Sequence, residues 1–239
     1  MSFDMGGNRF AFKKFVIDQS RSAFKVGTDG VLLGAYANVD SVKNILDIGA
    51  GTGVIALMLA QKSDAEIVAI EPNSESFAQM CDNINNSPWS GRIKTIKTTF
   101  QDMRYFGKFN LIVANPPYFS DSLKNLDAIK SQTRHNHTLK SADLLQGVVN
   151  LLDERGRFQL ILPYVEGNLF IAEAAKYGLY CCDILKIKPL PASEIKRLIM
   201  TFVKEKVKPT ENFLTISAGK RHEFTEEYIK LTKDFYLKF

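Results

Sequence analysis

The sequence predicts an α/β protein: an open, mostly parallel sheet of seven strands with helices on both faces and an antiparallel hairpin at one edge. Two observations carry this expectation. Short apolar, β-branched runs at 44–48, 66–70, 93–97, 109–114 and 157–163 alternate with helical segments, the order that builds βαβ units and buries strands on both faces. A glycine-rich stretch also follows the first of these runs and opens a helix, at the strand ends where such sheets take their ligands.

A chain of 239 residues permits one domain with additions. Residues 1–40 read as an N-terminal extension carrying basic and aromatic side chains, and 41–239 as the α/β domain. At 45% hydrophobic and 24% charged, the chain can bury a large core and does not read as disordered. A formal charge of +5 is compatible with a polyanionic partner. Cys81, Cys181 and Cys182 show no paired metal spacing, so neither a metal site nor a disulfide framework is expected. No apolar run approaches the roughly 18 residues of a membrane span. A cytoplasmic monomer is expected.

Phe10, Phe12 and Phe15 alternate with Arg9, Lys13 and Lys14. The pattern fits either an edge strand with one face on the core or a surface that stacks on bases and binds phosphates. The turn-rich 25–30 precedes a helical run at 31–36, which Thr28 or Asp29 would cap. From Asn44 a buried strand runs into Asp47-Ile48-Gly49-Ala50-Gly51-Thr52-Gly53, with an apolar helix over 54–61 behind it. Alternate glycines let backbone pass close under a ligand, and free amides at the helix start favour a carboxylate or phosphate. Glu71 follows Gly49 by 22 residues at the end of the next strand, where nucleoside-binding sheets place the acid that accepts from ribose hydroxyls. A helix over 74–86 turns Phe77, Met80, Cys81 and Ile84 toward the core. The strand 93–97 leads to Asp102, a carboxylate placed either to accept from an adenine amine or simply to face solvent.

The strand 109–114 ends in Asn115-Pro116-Pro117-Tyr118. Two prolines remove two donors and stiffen the exit from the sheet. The Asn115 carboxamide oxygen and the Pro116 carbonyl can together accept both hydrogens of one planar NH2 group, with Tyr118 flat against the ring that carries it. An adenine amine is a poor nucleophile because its lone pair is delocalised; two acceptors that localise the lone pair let it attack an electrophilic methyl in line. No metal is needed, and the proton leaves only once the nitrogen is cationic. Taken alone, the same four residues also make an ordinary turn.

The stretch from 119 to 140 is far longer than the usual α/β connection of about 2 to 6 residues and reads as a lid or substrate loop. It carries Lys124, Lys130, Arg134 and Lys140 against Asp121 and Asp127, with His135 and His137 spaced without further metal ligands. Helices over 142–152 and 166–177 flank the strand 157–163. Runs at 180–188 and 198–205 form the edge hairpin, and Thr225 caps a helix in the tail.

With these residues in view, DIGAGTG, Glu71, Asp102 and NPPY in that order resemble the class I S-adenosylmethionine-dependent methyltransferases. The likeness implies a Rossmann-like fold and, from NPPY, methylation of a planar nitrogen. KVGTDGVLLGAYA, the SPW of 87–89, the Arg134-His135 region and LTKDFYLKF are similar to the bacterial tRNA (adenine) methyltransferases that act on valine tRNA beside the anticodon. By that resemblance Asp47, Gly49, Gly51, Gly53, Glu71, Asp102, Thr28 and Asp29 hold S-adenosylmethionine, while Asn115, Pro116, Pro117 and Tyr118 hold the target base. Arg9, Lys13, Lys14, Lys124, Lys130 and Arg134 then become candidate tRNA contacts in two clusters flanking the NPPY mouth. Ala50 departs from the commoner Thr or Cys at its place, which costs little in a loop that works through its backbone. Two other readings stand beside this one: a protein glutamine methyltransferase of the release-factor type, whose longer leading helical domain does not fit before Asn44, and a noncatalytic RNA-binding module.

Overall fold

The computed structural model describes residues 7–22, 25–104, 107–116, 139–220 and 223–239. A two-stranded antiparallel ribbon, β1 (Arg9–Ala11) and β2 (Val16–Asp18), leads to α1 (Thr28–Tyr36). The main sheet is then built by β3 (Asn44–Ile48), β4 (Glu66–Ile70), β5 (Ile93–Ile96), β6 (Phe109–Ala114), β7 (Leu152–Pro163), β8 (Tyr180–Lys188), β9 (Arg197–Val203) and β10 (Thr210–Thr215). Its order is β10-β8-β9-β7-β6-β3-β4-β5. Helices α2 (Val54–Lys62), α3 (Ser74–Asn85), α4 (Ser141–Leu151) and α5 (Tyr164–Ala174) connect it, and α6 (Glu226–Thr232) closes the chain.

Among the described residues the main sheet has eight strands where seven are expected. The additional one is β10, which pairs in parallel with β8 and puts the β8–β9 hairpin one strand inside the edge. Its sequence, TENFLT, buries only Leu214 and leaves Phe213 62% exposed. Backbone pairing alone makes this strand, so no apolar periodicity announces it. β9 runs against both neighbours, β7 and β8.

Two apolar layers cover the faces. One gathers β1, β2, α1, α2, α3 and the tail around Ile17, Leu33, Leu57, Met58 and Met80; the other gathers α4 and α5 around Phe109, Phe158, Phe170 and Phe202. Of the two readings of the N-terminal aromatics, the structure takes the strand. Phe12 and Phe15 are buried and stacked at 4.5 Å, and Trp89 of the SPW turn meets Phe15 edge-on at 5.8 Å.

Helix α1 packs along α2 so tightly that a Cβ on Gly34 would stand 2.9 Å from Met58 Sδ. Its carboxyl end has no basic residue of its own. Lys62 of α2 supplies one, donating to the carbonyls of Gly34, Ala35 and Ala37, the favourable end of the helix dipole for a cation. Burial pulls the Lys62 ammonium down to about 8, against the opposing pull of Asp40.

Candidate active site

The parallel strands β3 to β7 end at one edge, so the loops after Ile48, Ile70, Ile96 and Ala114 converge there. Ile48 is in register with Ala114. The next residues on the two strands, Gly49 and Asn115, therefore leave the sheet side by side, about 5 Å apart in strand spacing.

Gly49 and Gly51 have φ of +69° and +55°, a region side chains rarely adopt. Among the described residues, chain neighbours aside, no atom lies within 4 Å of where a Cβ would sit on either, so none of them fills the space this backbone faces. It is held from behind. The Ala50 amide donates to Ile70 O at 2.9 Å and the Gly51 amide to Glu71 Oε2 at 2.9 Å. Glu71 Oε1 accepts from the Asn73 amide at 2.9 Å, and each carboxylate oxygen keeps a further lone pair. Ala50 is buried, which explains why a small apolar residue serves there.

Asp47 is fully buried; Oδ2 accepts from the Ala56 amide at 3.0 Å, while Oδ1 has no hydrogen-bond partner among the described residues. Burial pushes its carboxyl up to about 7, the Ala56 amide pulls it down, and the Glu71 carboxylate pushes it up further. Asp102 lies in the exposed turn after β5, where Oδ2 accepts from Thr99 Oγ1 at 2.7 Å and its amide donates back to that oxygen at 3.1 Å. Thr99 thus fixes the direction of this carboxylate.

Asn115 is half-buried and Pro116 buried. The first turn of α1 backs them: a Cβ on Gly30 would be 3.8 Å from Asn115 Nδ2. Pro117 and Tyr118 lie outside the described residues, as do Lys124, Lys130, Arg134, His135 and His137.

Two sequence expectations need correcting. Neither Thr28 nor Asp29 caps α1; the N-cap is Gly27, with no side-chain bond. Asp29 Oδ2 instead accepts from Arg197 Nε at 2.9 Å, because β9 starts at the same edge. The basic N-terminal cluster is also split. Arg9 pairs with Asp18 at 3.4 Å near the carboxyl edge. Lys13 and Lys14 sit at the ribbon's far tip, lining a cavity of about 590 Å³ with Ala37, Asp40, Lys62 and Asp234 at the other end of α2. Lys13 Nζ donates to the backbone oxygens of Lys233 and Phe239, both at 2.7 Å. These two lysines do not flank Asn115.

Asn83, which no motif singles out, reaches the glycine loop through its amide at Thr52 O, 2.9 Å away. Its spacing from Met80 on α3 was the available signal. Arg197, 168 residues from Asp29, gave none. Among the described residues no group of His, Cys, Asp and Glu is placed to hold a metal ion, and no helix is long and apolar enough to cross a membrane.

Comparison with known proteins bears on what this edge does. The family model described as the methyltransferase small domain matches residues 20–161, which span the glycine loop, Glu71 and Asn115. The chain belongs to this family. It is 43% identical to the tRNA1(Val) (adenine(37)-N6)-methyltransferase of Trichodesmium erythraeum, over 98% of this chain and 100% of that one. It is also 43% identical to the protein of that name from Bacteroides fragilis, over 96% and 98%. Among solved structures, a predicted O-methyltransferase from Agrobacterium tumefaciens superposes with a TM-score of 0.69 at 20% identity, covering 87% of this chain and 96% of that one. A glycopeptide N-methyltransferase complexed with S-adenosylmethionine superposes with a TM-score of 0.56 at 13% identity, covering 76% and 100%. For this small-domain methyltransferase, the open cradle before Gly49 and Gly51 and the acids at 71 and 102 suit a nucleoside-bearing donor.

Proposed function

We propose that this protein methylates the exocyclic amine of an adenine in tRNA, with S-adenosylmethionine as donor and adenine 37 of valine tRNA as target. The full-length likeness to enzymes of that name supports the substrate. The observation that carries the chemistry is the register of Ile48 with Ala114, since it puts the glycine loop beside the Asn115-Pro116 exit.

The bound donor supplies an electrophilic methyl on a sulfonium. The chain supplies position and polarity. Glu71 and Asp102 present acceptors to ribose and adenine from the ends of β4 and β5, while the backbone at 49–53 gives a surface without side chains. Asn115 Oδ1 and Pro116 O accept the two amine hydrogens, drawing the nitrogen toward a pyramidal geometry with its lone pair aimed in line. Tyr118 stacks on the target base, which must leave its loop stack to arrive there. Asp29, engaged by Arg197, acts from the rim. Arg9, Lys124, Lys130 and Arg134 receive phosphates; residues 1–40 form the arm that carries the first of them. The enzyme works as a monomer in the cytoplasm.

Incubating purified protein with S-adenosylmethionine and unmodified valine tRNA, then digesting and weighing the nucleosides, tests this directly. N6-methyladenosine confined to position 37 is the expected product. Methylated glutamine in a release factor with unmodified tRNA would replace the reading.

A further inference from the structure

Helix α3 presents a polar stripe where a core stripe is expected. Ser76, Gln79 and Asn83 are buried beside Met80 and Ile84. Asn83 is 3% exposed. Its Nδ2 donates to Asp18 O at 2.8 Å and to Thr52 O at 2.9 Å, while Oδ1 accepts from the Asp18 amide at 2.9 Å. Asparagine is a poor helix former, and a buried amide is costly unless its hydrogen bonds are made. A leucine here would favour both helix and core, so the amide is retained for the bonds it makes.

Those bonds join two segments distant in sequence. Asp18 ends the N-terminal ribbon; Thr52 belongs to the glycine loop. The loop's other supports, Ile70 O and Glu71, come from the neighbouring strand end. Asn83 fixes the Thr52–Gly53 peptide from the opposite side. Met80, on the same helix face, closes on Gly53, where a Cβ would meet its Cγ at 3.2 Å. Gln79 extends the grip, its Oε1 accepting from Ser20 Oγ and the Arg21 amide, each at 3.2 Å.

We infer that Asn83 is a positioning residue for the methyl donor, tying the N-terminal ribbon to the glycine loop so that the Thr52–Gly53 turn is already in its binding conformation. A preorganised loop spares the ligand the cost of ordering it. The effect should therefore fall on donor affinity, leaving the amine acceptors at Asn115 untouched. This rests on the S-adenosylmethionine reading above.

Asn83→Leu keeps the branching of the side chain without the bonds, and Asn83→Asp keeps one acceptor without the donors. Calorimetry with S-adenosylmethionine well below the unfolding temperature should show Kd raised about tenfold or more in both, with KM for the donor rising in step and kcat changed by less than about threefold. Unfolding at lower temperature with wild-type Kd in the folded protein would reduce Asn83 to a core residue and overturn the inference. A wild type that fails to bind the donor would instead sink the function proposed. Should both variants fail to fold, amide exchange on the wild type decides. Donor binding is expected to slow exchange of the Asp18 N–H, which Asn83 links to the loop; an unchanged rate overturns the link.

Discussion

A carboxyl group buried with one oxygen unpartnered favours its protonated form, and Asp47 is in that position among the described residues, with burial carrying it to about 7 from an ordinary 3.8. The folded state binds the proton more tightly than the unfolded chain. The stabilisation is therefore fully present below about pH 4 and is lost as pH rises through about 7, a swing of roughly 4 kcal/mol at about 1.4 kcal/mol per pH unit. Asp47→Asn cannot titrate. In urea unfolding of the ligand-free protein, the stability difference should move toward the variant as pH rises from about 4 to about 8; a flat difference would mean that Asp47 is ionised throughout. Asn115→Ala tests the neighbouring strand end. Losing one oriented acceptor should lower kcat by about two to three decades with donor affinity nearly unchanged. An equal loss in calorimetric donor affinity would instead make Asn115 part of the donor site. Asp102→Ala should weaken donor binding by about 1 to 3 kcal/mol, and an unchanged Kd would remove it from the adenine contact.

At the scale of elements, sequence reading succeeded where periodicity and packing agree and missed what other segments supply. The apolar runs of β3, β4 and β6 were legible because strands buried on both faces leave no polar alternation. The Thr225 cap was legible because a threonine before two acids is a local signal; its Oγ1 accepts from Tyr228 N at 3.2 Å. The start of α1 was misread because Arg197, contributed by a strand far along the chain, captures Asp29 before it can turn back onto the helix. The polar stripe of α3 was passed over because its partners, Asp18 and Thr52, lie on other elements. The α1–α2 contact gives a sharper test. Gly34→Ala gains about 1 kcal/mol of helix propensity but puts a methyl 2.9 Å from Met58 Sδ and 3.0 Å from Met58 Cβ. The sulfur can rotate away and the Cβ cannot. Overpacking at about 1 to 3 kcal/mol should win, lowering the urea midpoint; a midpoint at or above wild type would show that the two helices separate freely.

At the scale of the whole molecule, the nucleoside-binding edge was readable from order alone, since a parallel sheet sends every loop after a strand to the same side. Which cations share that edge was not, because the ribbon β1–β2 runs from Asp18, tied through Asn83 to the glycine loop, to a tip packed on the chain's tail, so residues four apart in sequence reach different neighbours. Arg9 stands near the carboxyl edge, while Lys13 joins Lys233 and Phe239 at the other. This separation divides the expected effects on tRNA binding. Each phosphate contact contributes about 0.7 to 0.9 to the slope of log affinity against log salt, the lower value for single strands. Neutralising Lys124, Lys130 and Arg134 together should flatten that slope by about two to three, and Arg9→Gln by about one or less. Lys13→Met should leave the slope alone and cost about 1 kcal/mol of stability through its two lost bonds to backbone oxygens. Donor affinity should hold in all three. A titration from low to moderate salt separates them: a slope change in Lys13→Met equal to that of the loop variant would place tRNA at the amino edge of the sheet as well, and wild-type slopes throughout would leave recognition to the shape of the anticodon loop.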